Sequence, residues 1–420
     1  MQKFLTFLQK HPVVYVARDI ERAMGLSFDT PGYFIISNST PFAKSLAQGR
    51  ENIHLIESEN LLSTVQLLQH TQTKDFLDAI AHLENQIAPS LLVFKPTLQI
   101  ERICQEKRWN LLNPPVSLSS QIEEKISQIE WLQSLEKFLP PHTVDTLENL
   151  EFELPFILQF NTSHTGTGTL LLETPSQFEE LKKTFPKRPV RALKYISGPT
   201  FTSNNVVSKE NIFLGNISYQ ITGIPPFTNN PFATIGNDFL FAHTILSDTQ
   251  KNTFLDIAQR IGKKLQNDGW LGAYGIDVIV DSETKKLYLL EVNARQPASV
   301  PFESLLQKDT GGQTTSLTTF EAHLMSLLQF PFLQKSLISI HDGAQIILRD
   351  AQIHFESTKI QTWKKQLEEL GYTVIDTPNT EDGTELLRIR TRNGSFVLED
   401  EKLNESGQNI KNIIESKEKT

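Results

Sequence analysis

Between residues 10 and 115 short apolar runs alternate with amphipathic stretches. VVYVA (13–17) and YFIIS (33–37) are followed by LLSTVQLLQH (61–70) and DFLDAIAHLENQI (75–87), which have helical spacing, and then by SLLVF (90–94). Apolar runs of this length read as buried strands, and their alternation with helical stretches predicts a small α/β unit around a partly parallel sheet. No Gly-rich turn of the dinucleotide-binding kind follows the first strand, so no nicotinamide site is expected. The Pro pair in NLLNPPVS (110–117) forces extended backbone and marks a domain boundary near residue 116.

Beyond that break, Ile122, Ile126, Ile129, Leu132 and Leu135 recur at spacings of three and four. They predict one helix up to Pro140 and Pro141, with Lys125 in its first turns beside the apolar stripe. PFILQF (155–160) and TLLLE (169–173) predict two strands around the polar segment NTSHTGTG (161–168), and Thr174, Pro175 and Gln177 have the spacing of a capped helix start. PVRALKYIS, TSNNVV and IFLGNISYQI predict further strands, and a helix is expected over about residues 248–268. GAYGIDVIVD (272–281) and KKLYLLEVNAR (285–295) then predict two strands joined by the polar turn SETK (282–285). In the last 90 or so residues strand-like IILRD and LLRIRT flank the helix WKKQLEELG, and the charged tail KNIIESKEKT is expected to fray. The predicted units are residues 1–116, 117–330 with a smaller lobe at about 145–200, and a C-terminal α/β extension, 331–420.

Composition narrows the function classes. A chain of 420 residues, 39% hydrophobic and 21% charged, is long enough for several cores and has an ordinary soluble make-up. Its net charge of −9 argues against a surface that neutralises nucleic-acid phosphates. The single cysteine, Cys104, forms neither an intrachain disulfide nor a cysteine zinc site; it reads as a small buried hydrophobe and fits a reducing cytoplasm. The N-terminal apolar stretch is interrupted by Lys10, His11 and Pro12, so no signal peptide is read, and no apolar run approaches the roughly 20 residues of a membrane span. Monomer and homodimer both stay open.

The chemistry concentrates in LYLLEVNARQPAS (287–299). Alternate side chains of a strand share a face, so Glu291, Asn293 and Arg295 project together while Leu290, Val292 and Ala294 face the other way. A hairpin around SETK would bring Asp277 opposite Glu291. Two adjacent carboxylates repel unless a cation lies between them, and hard oxygen ligands with an amide carbonyl suit Mg²⁺, with Mn²⁺ as an alternative, better than zinc. Magnesium shares its shell with phosphates, so the set points to a nucleoside triphosphate held through metal, with Arg295 reaching the phosphates. The plain alternative is a pair of strand-edge carboxylates matched with lysines on a solvated face. In NTSHTGTG, Gly166 and Gly168 let backbone N–H groups approach an anion and Thr165, Thr167 and Thr169 add hydroxyl donors, although a polar turn explains the same residues.

The strand YGIDVIVD, its polar turn and KLYLLEVNAR together resemble the metal-binding hairpin of the ATP-grasp superfamily, with a nucleotide site of biotin-carboxylase-like type. Neighbouring segments appear in the matching order. Lys125 in EEKISQ resembles the first nucleotide lysine, NTSHTGTG the glycine-rich phosphate loop, and ALKYISG the hinge strand that meets adenine, over about residues 10–330 in all. The resemblance implies an α/β chain in which a Rossmann-like pre-grasp domain precedes the grasp region. It makes Asp277, Glu291 and Asn293 metal ligands, and Glu291, Asn293 and Arg295 the catalytic set. Lys125, Gln159, Thr165, Gly166, Thr167, Gly168, Lys194, Tyr195 and Ile196 would contact the nucleotide.

The implied activity is an ATP-dependent carboxylate–amine ligase acting on amino-acid or peptide-like small molecules through an acyl phosphate. A small-molecule kinase and a non-catalytic ATP-binding regulatory protein are the alternatives. Two departures stand out: Gln159 occupies a position where a lysine is common, and Ala192 and Leu193 stand where the hinge often carries an acid. Gln159 brings no charge, so another cation must neutralise more of the phosphate. His164, His243, His323 and Asp238 read as loop, helix or turn residues, and Trp270 and Tyr274 as core. QPASVPF reads as a close substrate approach or a polar turn with a Pro stop.

Overall fold

A computed structural model of the chain describes residues 1–83, 88–161, 168–311, 316–349, 357–376, 385–398 and 401–416. The first sheet is wholly parallel. Val13–Ala17 lies at its centre, flanked by Tyr33–Asn38 with Ile53–Ile56 on one side and Ser90–Val93 with Asn110–Leu111 on the other. That order, with the first strand central and the fourth on its other side, is the one of the first five strands of a doubly wound sheet.

The second sheet is antiparallel and forms the body of the molecule. The hairpin Gly272–Val280 and Leu287–Asn293 lies at one edge, followed by Thr200–Val207, Ile217–Thr222 and Thr234–Asp238; Ala344–Arg349, Glu385–Thr391 and Thr373–Asp376 extend it from the C-terminal part. A separate four-stranded antiparallel sheet forms the small lobe, ordered His142–Thr146, Pro189–Lys194, Phe156–Phe160 and Thr169–Leu172. Its helix, Pro175–Thr184, starts with the capping box that Thr174 and Gln177 predict.

The parallel sheet docks on the body through the helix Thr319–Leu327. Phe320 lies 6.3 Å from the Tyr15 ring and 6.1 Å from Tyr33. A Cβ at Gly25 would sit 1.8 Å from the Phe320 ring, so only glycine admits that approach. Tyr15 also donates to Gln296 Oε1 at 3.1 Å, and Gln296 Nε2 donates to the Arg22 carbonyl at 2.9 Å. The QPAS segment is therefore a buried clip between the two sheets, and Pro301 opens the helix Val300–Asp309 after it.

Three expectations are corrected. The single helix through Lys125 is broken into Val116–Glu123 and Ser127–Leu132, with a 3-10 helix over Gln133–Phe138. IFLGNISYQI is two strands, because Gly215 leaves the sheet to donate to Asn205 Oδ1 at 3.0 Å. The tail does not fray from residue 411: the helix Glu405–Glu415 docks through buried Ile410 and Ile414. Among the described residues no helix is long and apolar enough to cross a membrane.

Candidate active site

The edge hairpin pairs Asp277 with Glu291 and Gly275 with Asn293. Between Leu289 and Glu291 the second strand carries one extra residue, Leu290, opposite the step from Asp277 to Val278. Alternation places Leu290 on the buried face with Val292 and Ala294, and the bulge overturns that. Leu289 is fully buried, and Leu290 is only partly buried, like Glu291. A bulge of this kind re-aims the residues beyond it. A Cβ at Gly275 would lie 3.0 Å from Pro297 and 3.4 Å from Asn293 Cβ, so the glycine leaves room for the amide.

Asp277 accepts from Gln220 Nε2 at 2.7 Å on one oxygen and from Asn293 Nδ2 at 3.2 Å on the other, with the Thr202 hydroxyl as a third donor. Burial, and after it the charge of Glu291, push its carboxyl up to about 6. Glu291 behaves in the opposite way. Burial works against its ionisation, yet Lys125, Arg295 and Arg191 together hold it below the usual carboxylate range. Lys125 Nζ lies 2.7 Å from Glu291 Oε1. Arg295 donates to Asn293 Oδ1 at 2.8 Å, and its Nε lies 3.2 Å from Glu123 Oε1, whose other oxygen is 2.9 Å from Lys95 Nζ.

Lys125 owes its place to the helix break. Its backbone N–H donates to the Asn161 carbonyl at 3.2 Å, and the Ile126 N–H donates to Asn161 Oδ1 at 3.0 Å. Asn161, the last described residue before the 162–167 segment, thus replaces two intrahelical bonds, and Lys125 is buried at 6% exposure. In the small lobe Gln159 pairs across the sheet with Arg191, which is wholly buried. Arg191 Nε and one terminal nitrogen donate to Gln159 Oε1 at 2.9 and 2.6 Å, and the other terminal nitrogen donates to Gln128 Oε1 at 3.3 Å.

No protein-family model matches the sequence, and no curated protein does. Solved structures do match, at low identity and over nearly the whole chain. Carboxyaminoimidazole ribonucleotide synthase from Aspergillus clavatus, complexed with ATP, is 14% identical over 97% of this chain and 98% of its own, with a TM-score of 0.63. N5-carboxyaminoimidazole synthetase from Staphylococcus aureus, complexed with ADP, is 12% identical over 96% and 97%, with a TM-score of 0.60. Phosphoribosylamine–glycine ligase from Thermotoga maritima is 12% identical over 91% and 92%, with a TM-score of 0.59. The chain has the ATP-grasp fold.

Within the ATP-grasp fold the predicted residues divide into three sets. Asp277, Glu291, Asn293, Arg295 and Lys125 converge on one cluster. Lys194 and Tyr195 are exposed, with Ile196 buried, where the strand Pro189–Lys194 leaves the small lobe beside the turn end of the hairpin, the Ser282 N–H donating to the Ser197 carbonyl at 2.9 Å. Thr165, Gly166 and Thr167, with His164, lie outside the described residues; Gly168 is described, and its carbonyl accepts from the Phe160 N–H at 3.1 Å.

The remaining singled-out residues are structural. Asp238 caps the helix Phe239–Ile245 and also accepts from Ser395 and the Phe396 N–H. His323 is buried, accepts from the Ala273 N–H at 2.8 Å and is pulled down to about 3 by burial, so it is neutral. His243 contacts the Ile340 carbonyl at 3.0 Å. Tyr274 donates to the Ala258 carbonyl, Trp270 to that of Ala273, and Cys104 is a buried thiol.

Sequence reasoning missed Arg191, Gln220, Glu123 and Lys95. An arginine inside the apolar run PVRALK was a readable signal, since a charge in a buried strand needs a partner. The other three are brought in by strand order and by the helix break. The donor set fits a hard divalent cation. Among the described residues Asp277 has no ion-pair partner, and burial first, then the charge of Glu291, opposes its ionisation, so a cation shared by the two carboxylates would favour the charged form. Two carboxylates and an amide are too few for a protein-only cage and suit an ion that shares phosphate oxygens.

Proposed function

We propose that this protein is an ATP-dependent ligase that activates a small-molecule carboxylate for capture by an amine. The reading is carried by one observation: Asp277, Glu291 and Asn293 on an ATP-grasp hairpin, ringed by Lys125, Arg191 and Arg295. A carboxylate oxygen of the substrate attacks the γ-phosphorus, the bond to ADP breaks, and the acyl phosphate forms. The amine then attacks the acyl carbon, phosphate leaves, and the nitrogen loses a proton. Asp277, Glu291 and Asn293 would hold magnesium or manganese, which screens phosphate charge when bound. Lys125 binds phosphate oxygens, giving up part of its contact with Glu291. Arg295, braced by Asn293 and Glu123, faces the transferring group and offsets its charge.

The acceptor is drawn to a cavity of about 210 Å³ between the parallel sheet and the C-terminal strands, lined by Arg18, Asp19, Arg22, Arg349 and Glu385 among others. Phe94 links it to the hairpin, its ring lying 4.8 Å from the Arg22 guanidinium and 5.8 Å from that of Arg295. The ADP and ATP complexes of the similar structures, one of them also holding 5-aminoimidazole ribonucleotide, support a nucleotide next to a small polar substrate.

The test is a magnesium-dependent ADP-release screen over pairs of carboxylates and amines, with mass spectrometry for the condensed product. Steady ADP release that needs both co-substrates is expected. Release with a single hydroxyl acceptor would mean a kinase, and nucleotide binding with no release across the panel would mean a regulatory binder.

A further inference from the structure

Arg191 has a pattern of partners that its burial alone does not explain. It is 0% exposed and in the middle of a strand, yet every hydrogen-bond acceptor it uses is a neutral amide, and among the described residues no carboxylate lies within ion-pair distance. Burial pulls its guanidinium down to about 10, with the charge of Glu291 acting the other way. A buried cation with only amide partners is poorly compensated, and a site with such a cation is suited to an anion.

The contact also fixes an orientation. A guanidinium has no acceptor, so the oxygen of Gln159 must face Arg191, and the Gln159 NH₂ must face away. It does so toward Thr169, with Nε2 3.3 Å from the hydroxyl. Gln159 is only partly buried there, on the strand that ends next to Asn161, and Asn161 in turn sets the Lys125 backbone.

We propose that Arg191 is a positioning residue for the nucleotide phosphates, supplying through the Gln159 amide the positive charge that residue 159 itself lacks. The inference rests on the ATP reading above. Arg191 stays on the neighbouring strand, forks onto the Gln159 oxygen, polarises the amide and leaves the N–H that Thr169 does not take for a phosphate oxygen. The side chain that touches the ligand is neutral, and the charge behind it is fixed. Such a pair discriminates a polyphosphate from uncharged parts of the nucleotide without adding a second ammonium to that of Lys125.

The experiment moves the charge. Binding of ATP with magnesium and of adenosine is measured for the wild type, Arg191→Met, Gln159→Lys and the double variant Gln159→Lys with Arg191→Met. Arg191→Met is expected to weaken ATP by about tenfold or more, the scale of a lost charge-assisted contact, while adenosine binding stays within about twofold. The double variant, with its ammonium at position 159, is expected to recover most of the ATP affinity.

Unchanged ATP affinity in Arg191→Met overturns the proposal. So does equal weakening of ATP and adenosine that Gln159→Lys does not repair, since that is the mark of a packing role. A wild-type chain that binds neither ligand overturns the ATP reading itself, a result distinct from both.

Discussion

Two groups of buried charge meet at Phe94, and they are compensated in opposite ways. On the side of the parallel sheet, Glu21 is wholly buried; Arg390 donates to one oxygen, while Arg388 at 3.4 Å and Arg22 at 3.6 Å approach the other. Glu385 takes Arg388, Arg22 and Arg349. Burial works against both carboxylates, yet the arginines hold both below their ordinary range. On the hairpin side, Asp277 is pushed up to about 6, and Arg191 has only amides for partners. The first group pairs its charges among themselves and ties the N-terminal unit to the strand Glu385–Thr391. The second leaves charge uncompensated at a place where a ligand would supply the remainder. Buried charge therefore marks a binding site only where pairing is incomplete.

Breaking the closed group gives the largest effect. Glu21→Gln leaves Arg388 and Arg390 buried with less counter-charge and is expected to cost about 3 kcal/mol or more in thermal or denaturant unfolding. Asp277→Asn does the opposite in the open group. It is expected to lower magnesium-dependent ADP formation by about a hundredfold while leaving the melting temperature of the nucleotide-free protein unchanged or raised, because it removes an ionisation that burial and Glu291 oppose.

Both groups weaken on acidification, but in different pH windows. Asp277, with its raised value, must lose a proton to bind a cation, so magnesium-supported nucleotide affinity is expected to be flat above pH 6 and to fall by about tenfold per unit below it. In Asp277→Asn that slope disappears. Glu21 and Glu385 have depressed folded values, so the stability they give is complete above the ordinary 4.5 and is lost as pH falls through their lower folded values. Unfolding free energy measured from pH 6 down to 3 is expected to drop more steeply in the wild type than in Glu385→Gln.

The hairpin was legible because strand alternation is local: Glu291, Asn293 and Arg295 at every second position, and a polar turn before them, needed no tertiary information. The same locality explains the errors. The period of Ile122, Ile126 and Ile129 is helical, but Asn161, 35 residues away, captures the Ile126 N–H and breaks the helix. Leu290 could not be recognised as an extra residue, since a bulge shows only against a partner strand. Gln159 read as a missing charge because Arg191 lies 32 residues further on, and the strand order that makes them neighbours is not sequential. The charges of KNIIESKEKT point to a frayed tail, while the buried stripe of Glu405–Glu415 needs the helix Ser357–Glu369, on which it packs, to show.

The bulge at Leu290 constrains how this hairpin can change length. Residues can be added or lost at the 282–285 end, since the ladder grows or shrinks from there without disturbing the far tip. Loss of Leu290 would close the bulge and leave Val278 opposite Leu289 and Asp277 opposite Glu291, whereas loss of Val292 would carry Asn293 to the opposite side of the ribbon, into the core. The irregularity thus holds one residue that the ladder does not count, and a library of one-residue deletions along the hairpin is expected to mark 289–290 as the place within the second strand where the site's facing survives a loss.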